Sequence, residues 1–297
     1  MASRDDAALW QPDEQHPLLI FGGPYSNLQA TRAVQAFAQA QAIPVSNILC
    51  TGDVCAYGAH HAETAERIRD WGIMVVQGNC EAQLATGAAD CGCGFAPGSA
   101  CDLLSGQWYP RALAAIGRDL RAWMGRCPNR VHGVYHGWKL AACHGAPDAQ
   151  NRFVFSSTSR ATKVRWLCDL DADLMLAGHC GLPFTQRLGA RYWCNGGVIG
   201  MPANDGTRDG WVLIIRPHDA STVAQTCEET GRRPLVVQLV RLPYDAQGAA
   251  EALRSADPRS PYAEALESGL WPNLDVLPTY ERSLSGKPIS PIQRIIA

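Results

Sequence analysis

Three short apolar runs, residues 18–21, 47–50 and 73–76, each stop at a glycine-bearing turn: Gly22-Gly23-Pro24, Thr51-Gly52-Asp53 and Gly78-Asn79-Cys80-Glu81. Between the first two, residues 28–42 place Ala30, Ala33, Val34 and Phe37 at helical spacing, and residues 61–71 are rich in Ala, Glu and Arg. Strand, turn and helix in that order predict parallel α/β units, whose ligands bind at the carboxyl edge of the strands. The pattern returns at residues 139–143, which lead into His144-Gly145. A helix over 160–170 and a strand over 174–177 then end in Gly178-His179. Runs at 192–195, 211–216 and 236–242 follow without crossover helices and predict a second, more antiparallel sheet.

The rest of the chain is less regular. Residues 82–105, rich in Gly, Ala and Cys, read as a long inserted excursion, and 108–124 as one helix. Residues 1–17 read as a polar extension, 18–245 as one domain, and 246–297 as a helical and extended tail. Within that tail 262–267 is the predicted helix, and residues from 283 on are expected to be loosely held. At 297 residues and 46% apolar, the chain can bury a large core. Its 26 basic and 28 acidic side chains leave a net charge of -2, with a pI near 6.4, so nucleic acid and anionic membranes are not expected partners. No apolar run approaches the ~20 residues of a membrane span. Asp5, Asp6, Asp13 and Glu14 are unlike the basic, then apolar, opening of an export signal. The expectation is a cytoplasmic chain whose twelve cysteines are mostly reduced, with Cys50, Cys127, Cys168, Cys194 and Cys227 packing as small hydrophobes.

Chemistry gathers at the strand ends. Asp53, Asn79, His144 and His179 offer a carboxylate, an amide oxygen and two imidazoles, a mixed oxygen and nitrogen set suited to zinc or a transition metal. Cys55, Cys80, Cys143 and Cys180 lie within two residues of these ligands. Cys91-Gly92-Cys93 and Cys101 form a further cluster that lacks the paired Cys-x-x-Cys spacing of a structural zinc site, and read as a tight loop or a redox-labile pair. The Gly22–Asn27 turn lacks the Lys-[Ser/Thr] ending of a phosphate-cradling loop. Asn27 is placed to cap the helix that follows.

Taken in order, Gly52-Asp53, Gly78-Asn79-Cys80-Glu81, His144-Gly145, Gly178-His179-Cys180-Gly181 and Asn195-Gly196-Gly197 resemble the blocks of calcineurin-like metallophosphoesterases, and most of all the small bacterial phosphodiesterase branch. The resemblance spans residues 18–202. It implies an α/β fold of two β-sheets packed face to face and flanked by helices, a four-layer αββα sandwich with a two-metal site between the sheets.

The departures from the family pattern fall mostly on one metal. Gly23 and Tyr25 stand where the family has Asp and His, and Gly181 stands at the second His of Gly-His-x-His. The ligands that the resemblance assigns to the other metal, Asp53, Asn79, His144 and His179, are all present, which implies one divalent ion: Zn, Mn or Fe. Cys80 replaces the family's catalytic His, and a thiol is a poor substitute for that proton donor. Cys80, Glu81 and Tyr25 are the candidate catalytic residues. The leading expectation is a hydrolase acting on a small-molecule phosphoester or related bond through a single-metal half site. The alternatives are a noncatalytic metal- or ligand-binding descendant, or thiol chemistry at Cys80 with His144 or His179 as base.

Overall fold

The computed structural model describes residues 7–218 and 231–297. Its strands are β1 (Ala7–Trp10), β2 (Leu18–Phe21), β3 (Ile48–Cys50), β4 (Met74–Val75), β5 (Arg130–Tyr135), β6 (Trp138–Cys143), β7 (Leu174–Ala177), β8 (Pro183–Leu188), β9 (Arg191–Gly196), β10 (Gly210–Pro217), β11 (Leu235–Leu242) and β12 (Ile292–Ile296). The helices are α1 (Leu28–Ala40), α2 (His61–Trp71), α3 (Asn79–Thr86), α4 (Ala100–Ala115), α5 (Arg118–Arg126), α6 (Arg160–Asp169), α7 (Ala246–Ala256), α8 (Tyr262–Ser268) and α9 (Thr279–Arg282). Among the described residues the strands form two mixed six-stranded sheets, ordered β1-β5-β6-β7-β9-β8 and β12-β11-β10-β2-β3-β4.

Side-chain alternation explains the layers. Leu18 and Ile20 point into the core between the sheets, while Leu19 and Phe21 point to the core under the helices. Trp211, Leu213 and Ile215 alternate with Val212 and Ile214 in the same way. On the other sheet Leu174 and Leu176 face inward, and Met175 and Ala177 face α6 and its surroundings. Successive strand residues point to opposite faces, so a strand covered on both sides is apolar throughout. The result is a sandwich of two sheets with helices on both outer faces.

Several sequence expectations need correction. The strands at 211–216 and 236–242 do not build the second sheet. They extend the first one, β10 pairing antiparallel with β2 and β11 antiparallel with β10, while the 192–195 run pairs parallel with β7. The helix expected over 108–124 is two, because Ile116 and Gly117 adopt extended backbone between α4 and α5. Helical residues occupy both ends of the 82–105 excursion, leaving 87–99 irregular. The polar N-terminal stretch contributes β1, which pairs parallel with β5 and buries Trp10. Cys168 is exposed and Cys127 half-buried, Cys91 and Cys93 form a disulfide, and Cys227 lies outside the described residues. No described helix is long and apolar enough to cross a membrane.

The tail is likewise not loose. Its last strand pairs with β11 from Ile292 to Ile296, and Ile296 enters the inter-sheet core. The buried Glu281 carboxylate accepts hydrogen bonds from Ser156 Oγ, Ser157 N and Ser157 Oγ, which ties α9 to the loop before α6. Deleting residues 291–297 is expected to lower Tm by about 5 °C or more. Burial of one isoleucine contributes roughly 1.5–3 kcal/mol, and each kcal/mol moves Tm by ~2–4 °C in a chain near this size. An unchanged melting curve, read by circular dichroism, would mean that β12 contributes nothing.

Candidate metal centre

The carboxyl ends of β3 and β4 from one sheet, and of β6 and β7 from the other, meet at one point. Asp53 follows β3, Asn79 opens α3 after β4, His144 follows β6 and His179 follows β7. All four are buried. Asp53 and His179 have positive φ values of 57° and 61°, left-handed turns that aim side chains from strand ends into the cleft. Gly78 is required here: a Cβ on it would lie 2.5 Å from Asp53 Oδ1.

The donor atoms converge tightly. His144 Nε2 stands 3.1 Å from Asp53 Oδ2, 3.2 Å from Asn79 Oδ1 and 3.0 Å from His179 Nδ1. Asp53, His144 and His179 each offer one ligand atom within 4.8 Å of the others. His144 Nδ1–H donates to the Thr51 carbonyl at 2.6 Å, so the Nε2 of the neutral ring is an acceptor among acceptors. Asn79 is oriented from its other end, where Nδ2 donates to the Cys91 carbonyl at 2.9 Å and to Cys93 Sγ at 3.4 Å. Such a gathering of lone pairs is stable only around a proton or a cation. Ligand atoms ~2.1 Å from a tetrahedral ion stand about 3.4 Å apart, close to the spacing here. The residues therefore fit a divalent transition-metal or zinc ion. In the ion-free chain a proton does part of the same work. Burial disfavours charge on His144, yet the neighbouring Asp53 raises its pKa above the ordinary value. Burial also opposes ionisation of Asp53, but the charge of His144 and hydrogen bonds from both imidazoles hold it well below the usual carboxylate range.

The candidate catalytic residues occupy three different settings. Glu81 is turned away from the cleft. Its Oε2 accepts from Asp53 N at 2.8 Å and Gly78 N at 2.9 Å, and its Oε1 from Val54 N at 2.7 Å. Burial, then Asp53, raise this carboxyl to about 6. Glu81 thus braces the ligand loops and acts through Asp53 and Asn79. Cys80 is buried at the start of α3, with its N–H 3.3 Å from Asp53 Oδ1. Burial, with Asp53 and Glu81 adding to it, pushes its thiol well above the ordinary cysteine value, so in this chain it is a neutral thiol.

Tyr25 packs over Gly23. A Cβ on Gly23, itself at φ +46°, would lie 2.6 Å from Tyr25 Cζ and 2.6 Å from Val198 Cγ1. A Cβ on Gly181, at φ +73°, would lie 3.0 Å from Trp271 Cζ2. Gly23 and Gly181, where the sequence offers no side-chain ligand, are thus both packed over with side chains. Trp271 was beyond the reach of sequence reading, because it comes from the tail and carries no motif. Phe153, in the loop before α6, likewise carries no motif; its ring stands 4.2 Å from that of His179. Asn27 does cap α1, its Oδ1 accepting from Ala30 N at 3.0 Å.

Comparison with known proteins shows a likeness of fold. The chain is similar to a metallophosphoesterase from Sphaerobacter thermophilus, at 18% identity and a TM-score of 0.63, over 86% of this chain and 99% of that one. It is equally similar in fold to a hypothetical protein from Pyrococcus horikoshii, at 12% identity and a TM-score of 0.63, over 85% and 98% of the two chains. No protein-family model matches the sequence, and no curated protein matches it significantly. At these identities the likeness is one of architecture alone: a metallophosphoesterase-like sandwich of two mixed sheets flanked by helices.

Proposed function

We propose that this chain is a metal-dependent hydrolase acting on a phosphoester or related ester bond through one divalent ion, Zn, Mn or Fe. The observation that carries this reading is the convergence of Asp53, Asn79, His144 and His179 where the two sheets meet. The Sphaerobacter likeness, a metallophosphoesterase by name, supports the reaction class. Asp53 and the three neutral donors would hold the ion, the Thr51 carbonyl fixes the tautomer of His144, and Glu81 holds the loops that carry Asp53 and Asn79. An ion bound there would polarise the ester oxygen and lower the pKa of a bound water. Water adds to the phosphorus, the ester oxygen leaves, and the proton released ends on that oxygen. Tyr25 lines the cavity beside Asp53, and its phenol would hydrogen-bond the substrate.

The expected result is close to one ion per chain by elemental analysis of protein purified without added metal. A small diester such as methyl p-nitrophenyl phosphate should be hydrolysed slowly, with activity lost to a chelator and regained with the ion. Two well-occupied ions would overturn the half site, and none would overturn the metal reading. One ion without hydrolysis would favour a noncatalytic descendant of the fold.

A further inference from the structure

A cavity of about 80 Å³ opens directly beside Asp53 and His179. Its walls are the side chains that cover the second-metal positions, Tyr25, Val198 and Trp271, together with Phe95, Phe153 and Met201. Trp271 is built in: its Nε1 donates to the Pro202 carbonyl at 2.7 Å, and its backbone N–H donates to Asn204 Oδ1 at 2.9 Å. The cavity thus replaces an ion with a fixed apolar wall.

Charge narrows the ligand further. No lysine or arginine is among the described residues lining the cavity. The amides around the start of α3 are also committed, Gly78 N to Glu81 and Cys80 N to Asp53. One divalent ion would do little more than balance Asp53 and Glu81. A phosphomonoester dianion or a polyphosphate would then sit largely uncompensated among apolar walls, which is costly. A singly charged or neutral ester with an apolar group meets no such cost. The cavity has about half the volume of the ~150 Å³ apolar cavity that accepts benzene, so the group it suits is a branched alkyl rather than a fused ring.

We infer that this cavity is a specificity pocket for one compact alkyl group, and that the substrate is a singly charged or neutral ester carrying it. The inference rests on the single-ion reading above, and the experiment separates the two. Protein of measured metal content is titrated with methyl, isopropyl and benzyl methylphosphonate and with inorganic phosphate by calorimetry. The Met201 methyl resonance, assigned with Met201→Leu, locates each ligand. Isopropyl methylphosphonate should bind about tenfold tighter than the methyl ester, from the two extra carbons it buries. Inorganic phosphate should bind most weakly. In Trp271→Ala the benzyl ester should gain on the isopropyl ester. A folded Trp271→Ala without that gain overturns the assignment of Trp271 as a wall. Equal binding of the methyl and isopropyl esters, or tighter binding of phosphate, overturns the pocket even if Trp271→Ala fails to fold. A sample that holds no ion defeats the metal reading instead. The pocket is then judged on neutral isobutanol, which should still shift the Met201 methyl signal and whose failure to do so would overturn it.

Discussion

Asp53→Asn protein, purified without added metal, is expected to carry less than a tenth of the ion content of the native chain. Asp53 is the only anionic donor in the set, and its Oδ2 lies 3.1 Å from His144 Nε2 and 3.9 Å from His179 Nδ1. Losing a residue behind a ligand typically lowers metal affinity about 10–100-fold, so losing the charged ligand itself should cost at least 100-fold. Asparagine is chosen because it tolerates the left-handed backbone at φ 57° and keeps the side-chain shape. The ion-free variant should fold but melt below the ion-free native chain, because it loses the buried Asp53–His144 charge pair. Measured together, ion content by elemental analysis and Tm after chelation separate a lost ligand from a lost fold. Full ion content in a folded Asp53→Asn chain would place the metal elsewhere.

Glu81→Ala should be among the most destabilising single changes in the protein. The native carboxylate satisfies the buried N–H groups of Asp53, Val54 and Gly78. Alanine leaves all three without an acceptor, and each unsatisfied buried group costs about 1–3 kcal/mol. A loss of roughly 3–6 kcal/mol is expected, or a fall in Tm on the order of 10 °C. Ion affinity should fall as well, because Asp53 and the Gly78-Asn79 turn share this brace. Glu81→Gln keeps one oxygen acceptor and should lie between the two in both measurements. A Tm within about 2 °C of native for Glu81→Ala would show that water takes the place of the carboxylate, and that the loops are held by packing alone.

The candidate ligands were legible as a group because each directly follows an apolar strand, and a strand end is a place that sequence pattern marks well. Asp53, Asn79, His144 and His179 needed no tertiary information beyond that. The setting of Glu81 was hidden for the opposite reason. Its position next to Asn79 and Cys80 suggested chemistry, whereas its direction is set by three backbone donors that no sequence pattern displays. The edge strands β1 and β12 escaped notice because pairing, not composition, makes them: Leu9 and Ile295 are exposed while Trp10 and Ile296 are buried. Strand β5 was hidden by Arg130, His132 and Gly133. The glycine there lies close under β1, where a Cβ would be 2.6 Å from the Trp10 carbonyl oxygen. The apolar wall of the cavity was the least readable part, since Tyr25, Phe153 and Trp271 come together only through the fold.

Asp53 and Asn79 belong to one sheet, and His144 and His179 to the other. An ion held by all four is a fastener across the sandwich, because its complete set of donors exists only once the sheets have docked. Its binding free energy then adds to the folding free energy: at one hundred times the dissociation constant the gain is about 2.7 kcal/mol. Ligand retention and turnover are thereby separable. A lineage that abandoned catalysis would still be held to these four residues by the thermal stability they confer.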